Sequence, residues 1–198
     1  MPDPISTLTN TFVLLGTASF MIIIAFLCTT LSFSKLPASR QGLIAKLTIG
    51  AVLGFLAIYA TVMAIKLPDG TIPNVRELAA MIAGVTGGPI AGLLAGLIGG
   101  IHRFSLSGVT AVPCGLATVL VGTIAGLVST RLVGKMYWVK AALLGFVLES
   151  LAMGLVFVFV PFDTALSVVS QVYVPMVAAS TIGLALWTFL LNKLEIQR

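Results

Sequence analysis

Two arginines in an otherwise apolar stretch are the residues of this chain best suited to bind a ligand. Arg76 and Arg103 flank a segment in which every fourth residue, from Gly84 to Gly100, is glycine. A guanidinium group presents a planar fork of donors that matches a carboxylate or a phosphate. We therefore predict a pocket for a small anion near the arginines. In the alternative, both side chains reach toward lipid headgroups, or Arg76 pairs with Glu77 or Asp69.

Other polar residues close to the arginines extend this candidate site. Thr110 and Cys114 begin the next apolar segment, where the free N–H groups and positive dipole end of a helix would favour an anion. Each of these residues also has a simpler interpretation. His102 could be purely structural, and Cys114 could be a small residue that packs between helices. The predicted ligand-binding residues are Arg76, Arg103, Cys114, Asn74, Thr110 and His102. Gln171 and Tyr173, at the outer end of the last apolar segment, are weaker candidates.

Glu149 is an acid well inside an apolar segment. A carboxylate in such a place is costly and is often functional. Alternatively, it is a neutral acid that is hydrogen-bonded to Ser or Thr across a helix interface. We expect it near mid-membrane and away from the proposed mouth beside the arginines.

The sequence offers no pattern that points to an enzyme. It contains no nucleophile–base pair, phosphate-binding loop or metal-ligand spacing, so neither a cofactor nor a metal is expected. Cys28 and Cys114 both lie in apolar segments and form no CxxC motif. The net charge of +5 could suggest nucleic acid, but the basic residues lie between apolar segments, where they set membrane orientation.

Composition identifies an integral membrane protein. Charged residues make up 9% and hydrophobic residues 59% of the 198 residues, and the mean hydropathy is +1.15. Globular domains have roughly 25% charged and 45–50% apolar residues. We predict one all-α transmembrane domain over residues 1–198. Its full spans are expected at 11–33, 43–65, 109–130, 141–160 and 168–191.

The segment 77–101 is expected to differ from these spans. Gly87-Gly88-Pro89 interrupts it and leaves pieces of roughly 11 and 13 residues, each too short to cross about 30 Å of hydrocarbon. We predict a broken re-entrant helical hairpin, which makes the fold class a polytopic helical bundle of five spans plus this hairpin. The glycines, including Gly92 and Gly96, would form a stripe that lets backbones approach closely.

Basic residues predict the orientation. With a re-entrant hairpin, eight of the 11 lysines and arginines lie on one side, and the positive-inside rule makes that side the cytoplasm. The amino terminus is then outside the cell membrane and the carboxyl terminus inside. The eight residues are Lys35, Arg40, Lys46, Arg131, Lys135, Lys140, Lys193 and Arg198, which leaves Lys66, Arg76 and Arg103 outside.

The motifs of the central segment resemble those of a known family. Asn74-Val75-Arg76, Gly87-Gly88-Pro89 and Gly99-Gly100-Ile101-His102-Arg103 are similar to the LytS/YhcK-type five-transmembrane receptor module. The resemblance covers about residues 43–191. It implies the sensory input of bacterial histidine kinases or diguanylate cyclases, some of which recognise small carboxylates such as pyruvate from outside the cell. Arg76 and Arg103 match the family's arginines, and Cys114 falls where the next helix would contribute to the pocket.

We therefore expect a receptor module that binds a small anion at the outer face and signals through its last helix to a cytoplasmic output domain. No kinase or cyclase pattern follows in the 198 residues, so the module is isolated or its output domain lies on another chain. The alternatives are a substrate-binding subunit that resembles the vitamin-binding components of energy-coupling-factor transporters, and a structural membrane partner. The sequence leaves the oligomeric state open, a homodimer included.

Overall fold

The computed structural model describes residues 4–31, 42–64, 71–132 and 136–196, and within these ranges the chain is helical with no β-strand. A single 3₁₀ turn, Ser129–Arg131, follows the fourth helix. These observations confirm the predicted all-α class. The helices are α1 Pro4–Leu31, α2 Leu43–Val62, α3 Arg76–Ser105, α4 Ala111–Val128, α5 Tyr137–Phe159 and α6 Phe162–Ile196.

Five described helices are long and apolar enough to cross a membrane, which confirms the polytopic membrane bundle. They are the helices α2 to α6, with α3 counted over its whole length. The helix α1 adds a shorter apolar stretch, Thr11–Leu27. Large apolar side chains such as Ile44 and Val158 are exposed on the outside of the bundle, as a lipid-facing surface requires.

The helix α3 is broken at Gly88. The φ and ψ angles of Gly88, 79° and −172°, lie in a region that is essentially restricted to glycine. The following Pro89 has no N–H with which to continue the helical ladder. Residues 76–87 and 89–105 are therefore two separate pieces, which we call the first and the second arm.

The two arms fold back on each other. A Cβ atom added to Gly99 would lie 3.2 Å from Cδ of Arg76, and one added to Gly92 would lie 2.9 Å from Cα of Gly84. In an unbroken helix, Arg76 and Gly99 would be about 34 Å apart. These contacts fix the path of the chain but not its depth in a bilayer, so the re-entrant placement of both ends at one membrane face stays a prediction.

The helix α4 fills the groove between the arms. A Cβ atom added to Gly122 would lie 2.5 Å from the carbonyl oxygen of Gly92 in the second arm and 3.0 Å from Cβ of Ala80 in the first. A Cβ atom on Gly96 would lie 2.7 Å from Cα of Val119. The stripe that includes Gly92 and Gly96 thus lets the backbone of the second arm touch that of α4.

The remaining helices enclose the hairpin. On one side, α2 packs against the second arm, and a Cβ atom on Gly54 would lie 2.8 Å from Cβ of Ile98. On the other side, Gly183 of α6 accommodates Leu78, and Nε1 of Trp187 donates to Oγ1 of Thr86 over 2.9 Å. The first arm is therefore enclosed by protein, and any charge that it carries must find a partner inside the bundle.

Several residues on which the predicted orientation depends lie outside the described ranges, and the side chain of Cys28 is not described either. The basic residues concerned are Lys35, Arg40, Lys66, Lys135 and Arg198.

Candidate functional site

Arg76 opens the first arm and is completely buried. Its Nη2 forms an ion pair with Oε1 of Glu77 at 2.8 Å, and its Nε donates to Oγ1 of Thr118 at 2.8 Å. A longer bond of 3.4 Å joins Nη1 to Oγ1 of Thr61. The pairing with Glu77 that the sequence offered as an alternative is thus present, whereas Asp69 lies outside the described residues.

Asn74 holds the start of this arm. Its Oδ1 accepts the backbone N–H of Arg76 at 3.0 Å, and its Nδ2 donates to the carbonyl oxygen of Ile72 at 3.0 Å. Because the first N–H groups of a helix have no partner within the helix, this side chain satisfies one of them. The 71–75 segment is thus non-helical and largely buried, and the helix begins at Arg76.

Arg103, near the end of the second arm, is 3% exposed. Its Nη1 donates to the carbonyl oxygen of Ser107 at 2.7 Å, and its Nη2 donates to Oγ1 of Thr110 at 2.9 Å. Ser107 has a φ angle of 56°, in the left-handed region that non-glycine residues seldom adopt. The thiol of Cys114 is a further hydrogen-bond partner of Arg103, and no described carboxylate forms an ion pair with it.

Three side chains, one at the residue before α4 and two in its first half, connect the two arginines. Thr110, Cys114 and Thr118 follow one another at a spacing of four residues, which places them on one face of the helix. Thr110 binds Arg103 and Thr118 binds Arg76, while Cys114 interacts with both arginines and lies within hydrogen-bonding reach of Thr110. We call these three residues the α4 ladder.

The α4 ladder shows that the arginines contact α4 at different positions along its axis. Thr110 and Thr118 are separated by about 12 Å along the helix axis. Arg103 therefore bonds at the beginning of α4, and Arg76 bonds about two turns further along it. The expectation that both arginines lie at one mouth on the outer face stays a prediction.

A small cavity of about 20 Å³ lies beside the α4 ladder. Its polar lining includes Asn74, Thr110 and Cys114, which are three of the predicted site residues. The opposite wall is apolar and comes from α5 and α6, through Met153, Val156, Val168, Val172 and Met176. The volume is enough for about one water molecule, so a larger ligand requires side chains to move. The two methionines are flexible enough to do so.

The remaining predicted residues are less directly connected with this cavity. His102 is half-buried and interacts electrostatically with Arg76, and its Nδ1 is buried with no hydrogen-bond partner among the described residues. Gln171 bonds to the carbonyl oxygen of Ser167, and the hydroxyl of Tyr173 lies 3.1 Å from Oγ of Ser150. The face of α6 that lines the cavity carries Val172 and Met176 instead.

Glu149 of α5 is fully buried, and its Oε2 accepts a hydrogen bond of 2.8 Å from Oγ of Ser180 in α6. This is the bond to a hydroxyl across a helix interface that the sequence offered as an alternative. Glu149 also interacts electrostatically with Glu77 and Arg76. Its expected position near mid-membrane, away from the proposed mouth, stays a prediction.

Sequence reasoning missed Thr61 and Thr118 as partners of Arg76. Thr118 could have been found, because it continues the four-residue spacing of Thr110 and Cys114. Thr61 had no comparable signal. Among the described residues, no group of three His, Cys, Asp or Glu side chains could hold a metal ion.

Comparisons with known proteins identify a family and several relatives that the chain resembles. The family model described as 5TMR of 5TMR-LYT, a five-transmembrane receptor domain, matches residues 30–194. Sensor histidine kinase YpdA of Escherichia coli K12 is 35% identical over 138 residues, which are 68% of this chain and 24% of that protein.

Two further relatives are also sensor proteins by name. Sensor histidine kinase BtsS of Escherichia coli K12 is 31% identical over 133 residues, which are 63% of this chain and 24% of that protein. Sensor protein LytS of Bacillus subtilis is 35% identical over 121 residues, 59% of this chain and 20% of that protein. The matched region is thus at most about a quarter of the length of each relative. No solved structure matches the chain.

Proposed function

The chain belongs to the LYT-type five-transmembrane receptor family, and we propose that it binds a small carboxylate such as pyruvate and passes the signal to a cytoplasmic output domain. Three relatives are named as sensor kinases or sensor proteins, which supports a histidine kinase as the output domain of the whole protein. The family match also favours a receptor over the transporter subunit that we considered from the sequence.

The observation that carries this proposal is the buried charge of Arg103. The charge of Arg76 is balanced by Glu77, whereas no described carboxylate forms an ion pair with Arg103, which bonds to the carbonyl oxygen of Ser107, the hydroxyl of Thr110 and the thiol of Cys114. An uncompensated ion inside a protein costs several kcal/mol, and more so within a membrane. A ligand carboxylate that reaches this guanidinium would supply the missing negative charge.

The surroundings of Arg103 limit the ligand to a small molecule. The hydroxyl of Thr110 and the thiol of Cys114 offer neutral polar contacts beside the guanidinium, and the apolar wall of the 20 Å³ cavity faces them. A ligand with one carboxylate and a short uncharged remainder fits such a site, because the carboxylate would face the polar side and the remainder would face the apolar wall. Larger or doubly charged ligands would place charge against the methionines.

The helix α6 is the proposed path for the signal. Val172 and Met176 line the cavity, and Pro175 lies between them, where it interrupts the hydrogen-bond ladder of the helix. A ligand that pushes this wall outward would therefore bend α6 at a weak point. With the amino terminus outside and the carboxyl terminus inside the cell membrane, the far end of α6 would carry the movement to the cytoplasm.

A thermal-unfolding experiment on the purified protein tests the proposal. At a pyruvate concentration a hundredfold above Kd, binding adds about 2.7 kcal/mol to the free energy of unfolding. For a chain of this size, that energy raises Tm by roughly 5–10 °C. Methyl pyruvate, which keeps the keto group but lacks the carboxylate charge, is the matched control and should have little effect. Equal shifts with both compounds, or no shift with pyruvate and related small carboxylates, would refute a carboxylate site.

A further inference from the structure

A short loop joins the second arm to α4 and covers the guanidinium group of Arg103. It consists of residues 106–110, of which the first four are exposed, whereas Arg103 is 3% exposed. Nη1 of Arg103 donates to the carbonyl oxygen of Ser107 at 2.7 Å, and Nη2 donates to Oγ1 of Thr110 at 2.9 Å. A Cβ atom added to Gly108 would lie 3.9 Å from the same Nη2. Both terminal nitrogens of the guanidinium group therefore lie against the 106–110 loop.

Ser107 makes this contact from an unfavourable backbone conformation. Its φ angle of 56° lies in the left-handed region, where the Cβ atom of an ordinary residue comes too close to the following carbonyl oxygen. The bond to Arg103 uses the carbonyl oxygen of Ser107 and not its hydroxyl. Ser107 would therefore gain a more favourable conformation if it were released from Arg103.

The loop supplies the kind of oxygen atoms that a ligand would supply. The parallel N–H groups of a guanidinium match the two oxygens of a carboxylate. In the structure, one carbonyl oxygen and one hydroxyl oxygen bind to Nη1 and Nη2 instead. The hydroxyl belongs to Thr110, which also lines the 20 Å³ cavity. The contact between Arg103 and the loop thus lies at the polar end of the proposed carboxylate site.

We propose that the carbonyl group of Ser107 holds the place of a ligand carboxylate, and that a bound carboxylate displaces the 106–110 loop from Arg103. This inference rests on the proposed carboxylate site and adds the movement that opens it. A carboxylate carries the negative charge that a backbone carbonyl lacks, so the exchange strengthens the hydrogen bonds to the guanidinium. The ligand-free domain is closed by its own loop, and its apparent affinity is reduced to the fraction of molecules in which the loop is open.

Calorimetry of pyruvate binding to Ser107→Val tests this inference. A β-branched residue is a stronger outlier at positive φ than serine, so the substitution should favour the open loop. The affinity for pyruvate should rise roughly 3–10-fold, whereas the free energy of unfolding without pyruvate should fall. A substitution that merely damaged the site would lower both quantities. An affinity of Ser107→Val equal to or below that of the wild type would overturn the inference.

Two matched variants separate the backbone conformation from the change of side chain. Leu106→Val introduces the same side chain at the neighbouring exposed position, where the φ angle is an ordinary −81°. Its affinity for pyruvate should equal that of the wild type. Ser107→Gly removes the hydroxymethyl group but adopts positive φ readily, so its affinity should not rise. A rise in either variant as large as in Ser107→Val would contradict the role of the Ser107 backbone.

Amide hydrogen exchange measures the movement of the loop itself. The N–H of Ser107 donates to the carbonyl oxygen of Phe104 at 3.2 Å, and the N–H of Ala111 donates to that of Gly108 at 3.0 Å. Saturating pyruvate should speed exchange in a peptide that covers residues 104–111, whereas a ligand that only stabilised the protein would slow it. Without pyruvate, Ser107→Val should already exchange faster there than the wild type. Unchanged or slower exchange of the wild type with bound pyruvate would contradict displacement of the loop.

The outcomes distinguish this inference from the proposed function. If the wild type and Ser107→Val bind pyruvate equally well and the exchange of the loop is unchanged, the displacement of the loop is wrong and the carboxylate site stands. If neither protein binds pyruvate or related small carboxylates, the carboxylate site is refuted and the loop inference is refuted with it.

Discussion

Gly92→Ala tests the close packing that holds the hairpin against α4. An added Cβ atom would overlap the carbonyl oxygen of Gly122, and it would lie 2.6 Å from the carbonyl carbon of that residue and 2.9 Å from Cα of Gly84. All three are backbone atoms, so no side-chain rotation can relieve the overlap. The helices themselves must separate.

The expected cost follows from two opposing effects. Overpacking in a tight core costs about 1–3 kcal/mol, and a clash with backbone on two sides belongs at the upper end of that range. Alanine is a better helix former than glycine, which stabilises the folded state by up to about 1 kcal/mol. The net loss is then about 2 kcal/mol, which corresponds to a roughly 30-fold change in the unfolding equilibrium.

The measurement is the free energy of unfolding of the purified variants in detergent. Gly154→Ala is the matched control, because nothing lies within 4 Å of a Cβ atom added at that exposed position of α5. It should be neutral or slightly stabilising. If Gly92→Ala is as stable as Gly154→Ala, the second arm does not pack against α4 in the way described.

Three other predictions concern topology, the thiol and the buried network. With a re-entrant hairpin, cysteines introduced at Gly42 and Ser105 lie on opposite membrane faces. An impermeant reagent applied to intact cells should therefore label only the cysteine at position 105. Equal labelling of both positions would favour a continuous span. Cys114→Ser keeps a hydrogen-bond donor of similar size. The affinity for pyruvate, measured by calorimetry, should therefore fall much less than it does when an arginine is lost. A comparable fall would mean that the sulfur has a specific role. Thr118→Val leaves Nε of Arg76 without its partner and should lower the free energy of unfolding by about 1.5–3 kcal/mol. In Thr123→Val, the lost hydroxyl bonds only within α4, so the change should stay within about 0.5 kcal/mol; equal losses would contradict the Arg76 network.

The fold was predictable because few alternatives exist for such a sequence. A chain this apolar must satisfy its backbone within helices. The Gly87-Gly88-Pro89 break is readable because glycine alone tolerates the backbone angles found at Gly88 and proline cannot continue the ladder. The described part of α6 begins at Phe162, six residues before the predicted start, since Asp163 and Ser167 are polar but are compatible with a helix.

The candidate site was only partly predictable because it depends on packing between segments that are distant in the sequence. The sequence shows directly that Arg76 and Arg103 could bind an anion, but it does not show that a non-helical, largely buried segment, residues 71–75, leads into Arg76. Side chains of adjacent helical residues point in different directions, so the ion pair with Glu77 was not the obvious expectation. The bond of Glu149 to Ser180 requires the packing of α5 against α6, and no local pattern reveals which hydroxyl is the partner.

The affinity of the protein for pyruvate, measured by calorimetry in wild type and in Arg103→Ala, tests the central claim most directly. A charge-assisted hydrogen bond contributes about 1.5–3 kcal/mol, so Arg103→Ala should weaken binding roughly 10–150-fold. Arg103→Lys should recover only part of the loss, because an ammonium group lacks the guanidinium fork. Arg131→Ala, at an exposed position in the 3₁₀ turn after α4, should bind like wild type. Wild-type affinity in Arg103→Ala would contradict the assignment of Arg103 as the carboxylate-binding residue.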